Sequence, residues 1–218
     1  MSSFEQSQLN RVKRVSERAA YDRETIYRIV DDALVCHVGF VQAGQPFVIP
    51  TIHARDGDRL ILHGAASSRM LKHISERKDI CVTITFVDGL VLARSVFHHS
   101  MNYRSAILFG TGRLIEDEEE KWRGFKVLTD HIMPGRWEDA RQPNRKELKA
   151  TSLVAMDIET ASAKIRTGPP IDDEEDYELP IWAGVLPIRR TILPPIADDK
   201  LNKSIVLPEY IEGYPRKD

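Results

Sequence analysis

"LVCHVGFVQAGQPFVIPTIHARDGDRLILHG", residues 34–64, contains three apolar runs separated by two short polar segments. The polar segments, QAGQ and RDGD, each hold a glycine, which readily adopts the backbone conformations that tight hairpins need. Runs rich in Val, Ile and Phe between such turns are typical of antiparallel strands. The stretch therefore predicts a three-stranded antiparallel meander.

Three more strand-like runs follow this meander along the chain. They are DICVTITFV, LVLARSVF and SAILFGTGRLI, and a DG dipeptide predicts a turn between the first two. Six strands with few helices between them favour a barrel, because closure removes exposed sheet edges. We predict a mainly β fold with peripheral helices, built on a six-stranded antiparallel barrel. TSLVAMDIE and ASAKIRTG are predicted to return to the barrel as a last strand pair.

Helices are predicted at three places around these strands. Asp22 is a candidate N-cap for RETIYRIVDDA, whose Ile26, Ile29, Val30 and Ala33 follow the spacing of one buried helical face. A short helix is predicted over about residues 67–77, and a third in EDEEEKWRGFKVLTDHI. The polar stretch 135–150 and the acidic run DDEEDYELP are predicted to be loops.

Length and composition favour one domain in a reducing compartment. The 218 residues, 42% of them hydrophobic, suffice for one substantial core. We expect an N-terminal arm over residues 1–20, the barrel domain over 21–190 and an extended tail over 191–218. A net charge of -2 gives no general attraction to nucleic acid or to a membrane. Cys36 and Cys81 lie in apolar runs, and no signal or membrane-spanning stretch is evident, so we expect a cytoplasmic protein.

The segment "HGAASSRMLKHI", residues 63–74, is a candidate anion site. A strand that turns into a helix exposes free backbone N–H groups at the helix start. Ser67 and Ser68 add hydroxyl groups, Arg69 adds a planar fork suited to phosphate oxygens, and Lys72 follows one turn later. The alternative is that Ser67 merely caps the helix while Arg69 and Lys72 are solvated surface charges.

A second polar cluster, "RSVFHHSMNYRS", spans residues 94–105. It is too polar for a plain hairpin, and its polar groups are candidates for ligand contact. His98 and His99 point to opposite faces if they lie on a strand, and no acidic or cysteine ligand is adjacent in sequence, so no metal site is predicted. His37, His53 and His63 lie in strands and are interpreted as hydrogen-bonded interior or rim residues.

These segments, in this order and spacing, resemble the flavin-binding split β-barrels related to pyridoxamine 5'-phosphate oxidase, in the branch that includes nitroimidazole-resistance proteins. The resemblance spans about residues 20–190. It rests on YDRETIYRIVDDALVCHVGF, PFVIPTIHARDGDRLILHGAASSRMLKHI and ARSVFHHSMNYRSAILFGTGRLIED. It implies that the barrel is of the split type and that the cofactor is FMN.

Position by position, the resemblance keeps part of the oxidase pattern. A tyrosine–threonine pair and a Ser-Arg-Lys triplet that bind FMN in the oxidases match His63 and Gly64, then Ser68, Arg69 and Met70, so the arginine is kept and the lysine is lost. Lys72 is a substitute for that lysine from another helical position. An arginine and a lysine of the oxidases match Val48 and His53, and a flavin-contacting glutamine matches Ser105. These departures disfavour oxidation of pyridoxamine phosphate more than they disfavour flavin binding.

The resemblance also implies a homodimer with two FMN molecules at its interface. Residues 49–52 would run beside the flavin ring, and Trp182 would reach it from the second subunit, although Trp182 is equally well interpreted as a core or interface residue. The predicted FMN contacts are Ile49, Pro50, Thr51, Ile52, His63, Gly64, Ser67, Ser68, Arg69, Lys72, Asn102, Tyr103, Arg104, Ser105 and Trp182.

The function expected from these features is that of an FMN-dependent oxidoreductase, a reductase of a small organic substrate. Electrons would come from NADH, NADPH or another donor, and since no GxGxxG motif is present, a nicotinamide would bind only transiently over the flavin. Two alternatives stay open. One is a non-enzymatic flavin-binding or sensing dimer, and the other is a protein that binds haem through one of its histidines.

Overall fold

The structure, a computed structural model, describes residues 2–214, so Met1 and the last four residues of the predicted tail lie outside it. The strands are β1 (Ala19–Ala20), β2 (Val35–Gln42), β3 (Gln45–Asp56), β4 (Arg59–Ala65), β5 (Ile80–Leu92), β6 (Ser100–Gly110), β7 (Gly112–Leu114), β8 (Thr151–Asp157), β9 (Thr160–Arg166) and β10 (Gly184–Pro187). The helices are α1 (Arg23–Asp32), α2 (Arg69–Ser75), α3 (Glu118–Ile132), α4 (Arg136–Asp139), α5 (Arg145–Ala150) and α6 (Glu209–Glu212). Short 3-10 turns occur at Ser16–Arg18, Val96–His98 and Glu174–Glu178.

The strands form one antiparallel sheet that bends into an open barrel. Its order is β1-β9-β6-β5-β2-β3-β4-β8-β7, and β10 pairs with β5 beside this path. The sheet does not close on itself, so the barrel is split. The prediction of a mainly β, antiparallel split barrel is confirmed, and the 34–64 meander forms the strands β2, β3 and β4.

The interior of the barrel is a single apolar cluster closed by helices. Alternate residues of β2 and β5, such as Cys36, Val38, Val82 and Ile84, are fully or almost fully buried. Helix α1 closes one side and begins as predicted, because the Asp22 carboxylate accepts the backbone N–H of Thr25 at 2.8 Å. A smaller cluster lies under α3 and contains Ala54, Ile61, Ile115, Leu128, Leu153 and Ala155.

The DG dipeptide does not form the predicted turn. Residues 80–92 make one 13-residue strand, β5, with a register shift between Val87 and Gly89. The far half of β5 is paired on both sides, with β6 and with β10, so long-range pairing overrides the local turn signal. Strand β6 accordingly begins at Ser100, five residues before the predicted start. The expected last strand pair does return to the sheet, but β8 pairs with β4 and β9 with β6.

Two segments expected to be loops are more ordered than predicted. Residues 135–150 contain α4 and α5, and α5 begins with a capping box in which Asn144 and Glu147 bond each other's backbone N–H groups. In the acidic run, the Asp172 side chain is fully buried and accepts hydrogen bonds from the backbone N–H groups of Arg94 and Ser95. Asp172 thus fastens this run to the end of β5.

Residues 188–208, here called the strap, connect β10 to α6 without a helix or strand. At one end, Ile188 donates its backbone N–H to the Asp88 carbonyl at 3.0 Å. At the other, the Tyr210 hydroxyl donates to Asp139 at 2.6 Å and the Tyr214 hydroxyl to the Ile132 carbonyl at 2.7 Å. Between these anchors the apolar side chains are exposed, with Ile196 97% accessible.

Within residues 2–214, none of the helices combines the length and the apolar character needed to span a membrane.

Candidate functional site

The candidate anion site of residues 63–74 lies beside the split between β3 and β4. Their pairing ends at His53 opposite Leu62, beyond which β3 pairs with β2 and β4 with β8. In the part of the chain that the structure describes, residues 45–52 of β3 therefore have one backbone edge without a strand partner. That edge includes the predicted ring-lining residues Ile49, Pro50, Thr51 and Ile52, and its free backbone groups can bond a ligand.

The turn from β4 into α2 lies beside this split. His63 and Gly64 lie near the end of β4, which finishes at Ala65, and the Leu71 side chain packs against Gly64. Ser68, and not Ser67, caps α2, because its hydroxyl accepts the backbone N–H of Leu71 at 3.4 Å. The Ser67 side chain is exposed. The alternative in which Ser67 caps the helix is therefore wrong, and the Ser67 hydroxyl is available to a ligand.

Arg69 connects α2 to β3. Its guanidinium lies 4.4 Å from the centre of the Phe47 ring, a cation–π contact that holds the fork near the open edge of β3. Arg69 and Lys72 are both exposed, and neither forms an ion pair within residues 2–214. By contrast, Arg55, Arg59 and Arg104 in the neighbouring strands are each paired with carboxylates. Arg69 and Lys72 thus offer two uncompensated positive charges to an anion.

The side of the sheet facing away from the barrel interior is apolar and exposed. We call it the outer face, and it is formed by directly paired residues of β2 and β3, namely Val35 with Ile52, His37 with Pro50, Gly39 with Val48 and Val41 with Pro46. Val48 is 67% accessible and Val41 59%. An exposed apolar surface of this kind marks a binding surface for a ligand or another protein chain.

The predicted contacts of the second cluster lie apart from the split. They are on β6, which is separated from β3 by β5 and β2, so about 14 Å of sheet lies between them. Arg104 is held by Asp88 at 3.0 Å and by Asp32 at 3.3 Å, and Asn102 is bonded to Arg166 and Gly168. Tyr103 and Ser105 are half-buried and, by register with Val87 and Thr85, lie on the same side of the sheet as the outer face.

Trp182 is 67% accessible and packs over Gly184 at the start of β10. Strand β10 pairs with residues 89–92 of β5, the end of the sheet that also carries Asn102. Within one copy of the chain, Arg69 links the β4–α2 turn to β3 through Phe47, whereas residues 102–105 and Trp182 lie apart from that turn, on and beside the strands that flank β5.

The histidine pair at 98 and 99 has acidic neighbours that sequence spacing did not reveal. The Asp173 carboxylate lies 3.1 Å from Nε2 of His98, and Asp176 joins them, with the three candidate ligand atoms within 4.8 Å of one another. No acid is adjacent to these histidines in the sequence, but in the fold Asp172 fastens the acidic run to this loop and brings Asp173 and Asp176 beside His98. His99 instead lies 3.0 Å from the Ser95 carbonyl through Nδ1.

Two other histidines have rings that make no hydrogen bond within residues 2–214. Nδ1 of His63 is buried without a partner, and burial lowers the pKa of this ring because it disfavours the charged form. His37 is exposed on the outer face opposite Pro50. His53 differs, because its Nε2 is bonded to the Val30 carbonyl at 3.0 Å and burial lowers the pKa of the ring to about 4.

A cavity of about 790 Å³, here called the hairpin cavity, opens at the end of the sheet where β2 turns into β3. Phe40, Phe47 and Phe109 line it, and the Phe40 and Phe47 rings are stacked 5.5 Å apart. Arg77 and Lys78, just after α2, lie at its wall. Sequence reasoning missed Phe47 and Arg77, because only the packing of α2 against the β2–β3 hairpin brings them together.

Comparison with known proteins places this geometry among flavoproteins. A family model described as pyridoxamine 5'-phosphate oxidase matches residues 22–165. No curated protein matches the sequence. Among solved structures, the flavocytochrome Anf3 from Azotobacter vinelandii is 43% identical over 95% of this chain and 96% of its own, with a TM-score of 0.90. The FAD and haem binding protein from Mycobacterium smegmatis is 34% identical over 91% and 98%, with a TM-score of 0.87.

A more distant likeness concerns the fold alone. A candidate 5-nitroimidazole antibiotic resistance protein from Bacteroides thetaiotaomicron is 22% identical over 67% of this chain and 86% of its own, with a TM-score of 0.58.

Proposed function

Because the chain belongs to the pyridoxamine 5'-phosphate oxidase family, we propose that it binds a flavin nucleotide at the split between β3 and β4 and works as a flavin-dependent oxidoreductase. The observation that carries this proposal is the Arg69 guanidinium held over Phe47, beside the free backbone edge of residues 45–52. The Arg69 guanidinium can bind a phosphate, and the backbone groups of residues 45–52 can form hydrogen bonds with the polar edge of the flavin ring.

The oxidase reaction of the family's name is not part of the proposal. The positions that match an arginine and a lysine of the oxidases hold Val48, an exposed aliphatic residue, and His53, which is buried and kept neutral. Neither residue offers the positive charge that the oxidases have at its position. Reduction of a small organic molecule, with electrons from NADH, NADPH or another donor, fits these residues better.

The nucleotide we propose is FAD, in place of the FMN expected from the sequence. The Mycobacterium smegmatis protein, at 34% identity, is described as binding FAD. The purified protein is expected to be yellow and to release FAD on denaturation, which chromatography separates from FMN. Release of FMN alone would show that the cofactor is FMN, as expected from the sequence. A colourless protein that takes up neither nucleotide would contradict the proposal of a flavin site.

The two similar structures also support a haem as a second group. One is described as a flavocytochrome and the other as binding haem. A haem iron needs a neutral imidazole nitrogen, and His37 and His63 are the histidines whose rings make no hydrogen bond within the described chain. A Soret band that disappears in His37→Ala or in His63→Ala would identify the ligand. Its retention in both variants would exclude these two residues.

Turnover distinguishes the proposed reductase from a non-enzymatic flavin dimer. We expect steady-state oxidation of NADH or NADPH with an artificial electron acceptor, because the flavin supplies hydride chemistry and the protein binds and orients it. A flavin-loaded protein without turnover with either nicotinamide or with chemical reductants would favour the sensing or storage role.

Replacing Arg69 by Ala tests the phosphate site directly. Loss of a charge-assisted contact is expected to weaken flavin nucleotide binding by about 1.5 to 3 kcal/mol, roughly a 10- to 150-fold rise in Kd. Riboflavin, which has no phosphate, should bind both proteins equally. Arg145→Ala, which removes an exposed arginine at the start of α5, is the matched control. An unchanged FMN titration in Arg69→Ala would make Arg69 a surface residue only.

A further inference from the structure

The hairpin cavity is continuous with the proposed flavin site through two adjacent residues. Phe47 lines the cavity and is the ring beneath the Arg69 guanidinium. Val48 also lines the cavity and directly precedes residues 49–52. A ligand whose ring lies along residues 49–52 and whose phosphate meets Arg69 therefore has the cavity at its phosphate end.

The volume and walls of the cavity suit a nucleotide. About 790 Å³ lies within the usual range of small-molecule sites. The aromatic walls suit a planar base, since Phe47 and Phe109 are partly exposed there and the buried Phe40 ring stacks behind Phe47. The cavity also has carboxylates at Asp79 and Glu159, which accept hydrogen bonds from hydroxyl or amino groups. Glu159 is already held by the backbone N–H and the hydroxyl of Thr111.

Arg77 adds a positive charge without a partner. Its side chain forms no hydrogen bond or ion pair within residues 2–214, whereas that of its neighbour Lys78 is paired with Glu76. Its backbone has φ 56, a left-handed conformation that is unfavourable for a residue with a side chain. This backbone directs the chain around the end of α2 and places Arg77 at the wall of the cavity. Arg69 and Arg77 thus lie at opposite ends of α2, Arg69 at its start and Arg77 just after its end.

We propose that the hairpin cavity holds the adenosine half of a flavin dinucleotide, with Arg69 at the phosphate of the flavin half and Arg77 at the phosphate of the adenosine half. This inference rests on the proposed function, because it presupposes that the flavin ring lies at residues 49–52. Under this proposal, the preference for FAD over FMN depends on Arg77 and the other residues of the hairpin cavity, which lie outside the site of the flavin ring.

Filling the cavity is the first test. Gly39 lies at its wall, a Cβ there would meet the Cys81 carbonyl oxygen at 3.4 Å, an ordinary contact, and valine is favoured in strands, so Gly39→Val is the filling variant. Fluorescence titration of apoprotein is expected to show at least about a tenfold loss of FAD affinity with FMN affinity unchanged within about twofold. Gly39→Ala, which fills less of the cavity, should lie between Gly39→Val and the unchanged protein.

Removing the positive charge of Arg77 is the second test, and the substitution is not expected to destabilise the protein. Arg77→Gly deletes the guanidinium and relieves the left-handed backbone, so its stability is expected to be equal or higher. FAD binding should weaken while FMN binding stays the same. Arg69→Ala, in contrast, should weaken both nucleotides.

The outcomes separate this inference from the proposed function. FAD and FMN affinities that fall together in Gly39→Val and in Arg77→Gly, or that stay unchanged in both, overturn the adenosine assignment while the flavin site stands. An apoprotein that binds neither nucleotide overturns the proposed function, and the inference with it. Loss of FAD binding alone in both variants supports the assignment.

Discussion

At the residue scale, the buried histidine His53 shows how position in the sheet decides chemistry. It is fully inaccessible, its Nε2 is bonded to the Val30 carbonyl, and its ring lies 5.4 Å from that of His131. Burial disfavours the charged ring, with a smaller contribution from His131, so its pKa falls to about 4. His53 is therefore a neutral structural residue that joins β3 to α1.

Because of His53, we expect the folded protein to lose stability as the pH falls, already at pH values above those at which most carboxylates take up protons. The unfolded chain takes up a proton near pH 6.5 and the folded chain only near pH 4, so stability is complete above pH 6.5 and falls as the pH is lowered from 6.5 to 4. The loss should approach roughly 3 kcal/mol. Urea unfolding at several pH values measures it.

His53→Gln is the control for this pH dependence. Its amide can still donate to the Val30 carbonyl but does not titrate, so the unfolding free energy should depend less on pH between 6.5 and 4.5. His63, whose pKa is also lowered by burial, leaves a smaller remaining dependence. An identical pH dependence in the variant and the original protein would contradict the assignment to His53.

At the element scale, the sequence predicts the strands and α1 better than the connections between them. The alternation of buried and exposed residues in β2 and the cap at Asp22 are local signals, and both are correct. The DG dipeptide misled because the strand partners of residues 89–92, in β6 and β10, are distant in sequence. The capping box of α5 was a local signal that could have been found at Asn144 and Glu147.

The residues of the candidate site also differ in how well the sequence predicts them. Ser68 at a helix start and Arg69 beside it follow from a strand-to-helix turn that is visible in the sequence. Phe47 under the guanidinium and Arg77 at the cavity depend on how α2 packs against the β2–β3 hairpin. No periodicity within one element contains that information.

Strand β6 supplies a prediction at this scale through Gly110. A Cβ at Gly110 would lie 1.9 Å from the Asp157 carbonyl oxygen, so any side chain must push β6 and β8 apart. Gly110→Ala is expected to lower the free energy of unfolding by about 2 kcal/mol or more. Gly39→Ala, another strand glycine but with 3.4 Å of room, should cost little. Equal denaturation midpoints for the two variants would contradict this prediction and would show that β6 and β8 can move apart at little cost.

At the scale of the whole molecule, several apolar surfaces lie open in a single copy. The outer face, Trp182 and the strap are all exposed, and the two groups of predicted flavin contacts lie on separate parts of the sheet. A twofold dimer would cover such surfaces and could join one group with the other from the second copy. We therefore expect a homodimer whose flavin sites use both copies.

Light scattering tests the dimer, and truncation tests its connection to the flavin. The intact protein should give about twice the chain mass of 24.9 kDa. A chain that ends at residue 178 lacks β10, Trp182 and the strap, and it should lose dimerisation and flavin retention together. A chain that ends at residue 187 keeps β10 and Trp182 and isolates the strap. A monomer that retains flavin tightly would refute the shared site.

The strap is held at both ends, at Ile188 by β5 and at Tyr210 and Tyr214 by α3 and α4. Once a loop is closed, lengthening it adds little entropic cost, only about 0.6 kcal/mol for each doubling of its length. Insertions or deletions near its middle should therefore leave the barrel as stable as before. The length and composition of the strap can thus change, and with them the contacts that its exposed apolar side chains make, without disturbing the barrel.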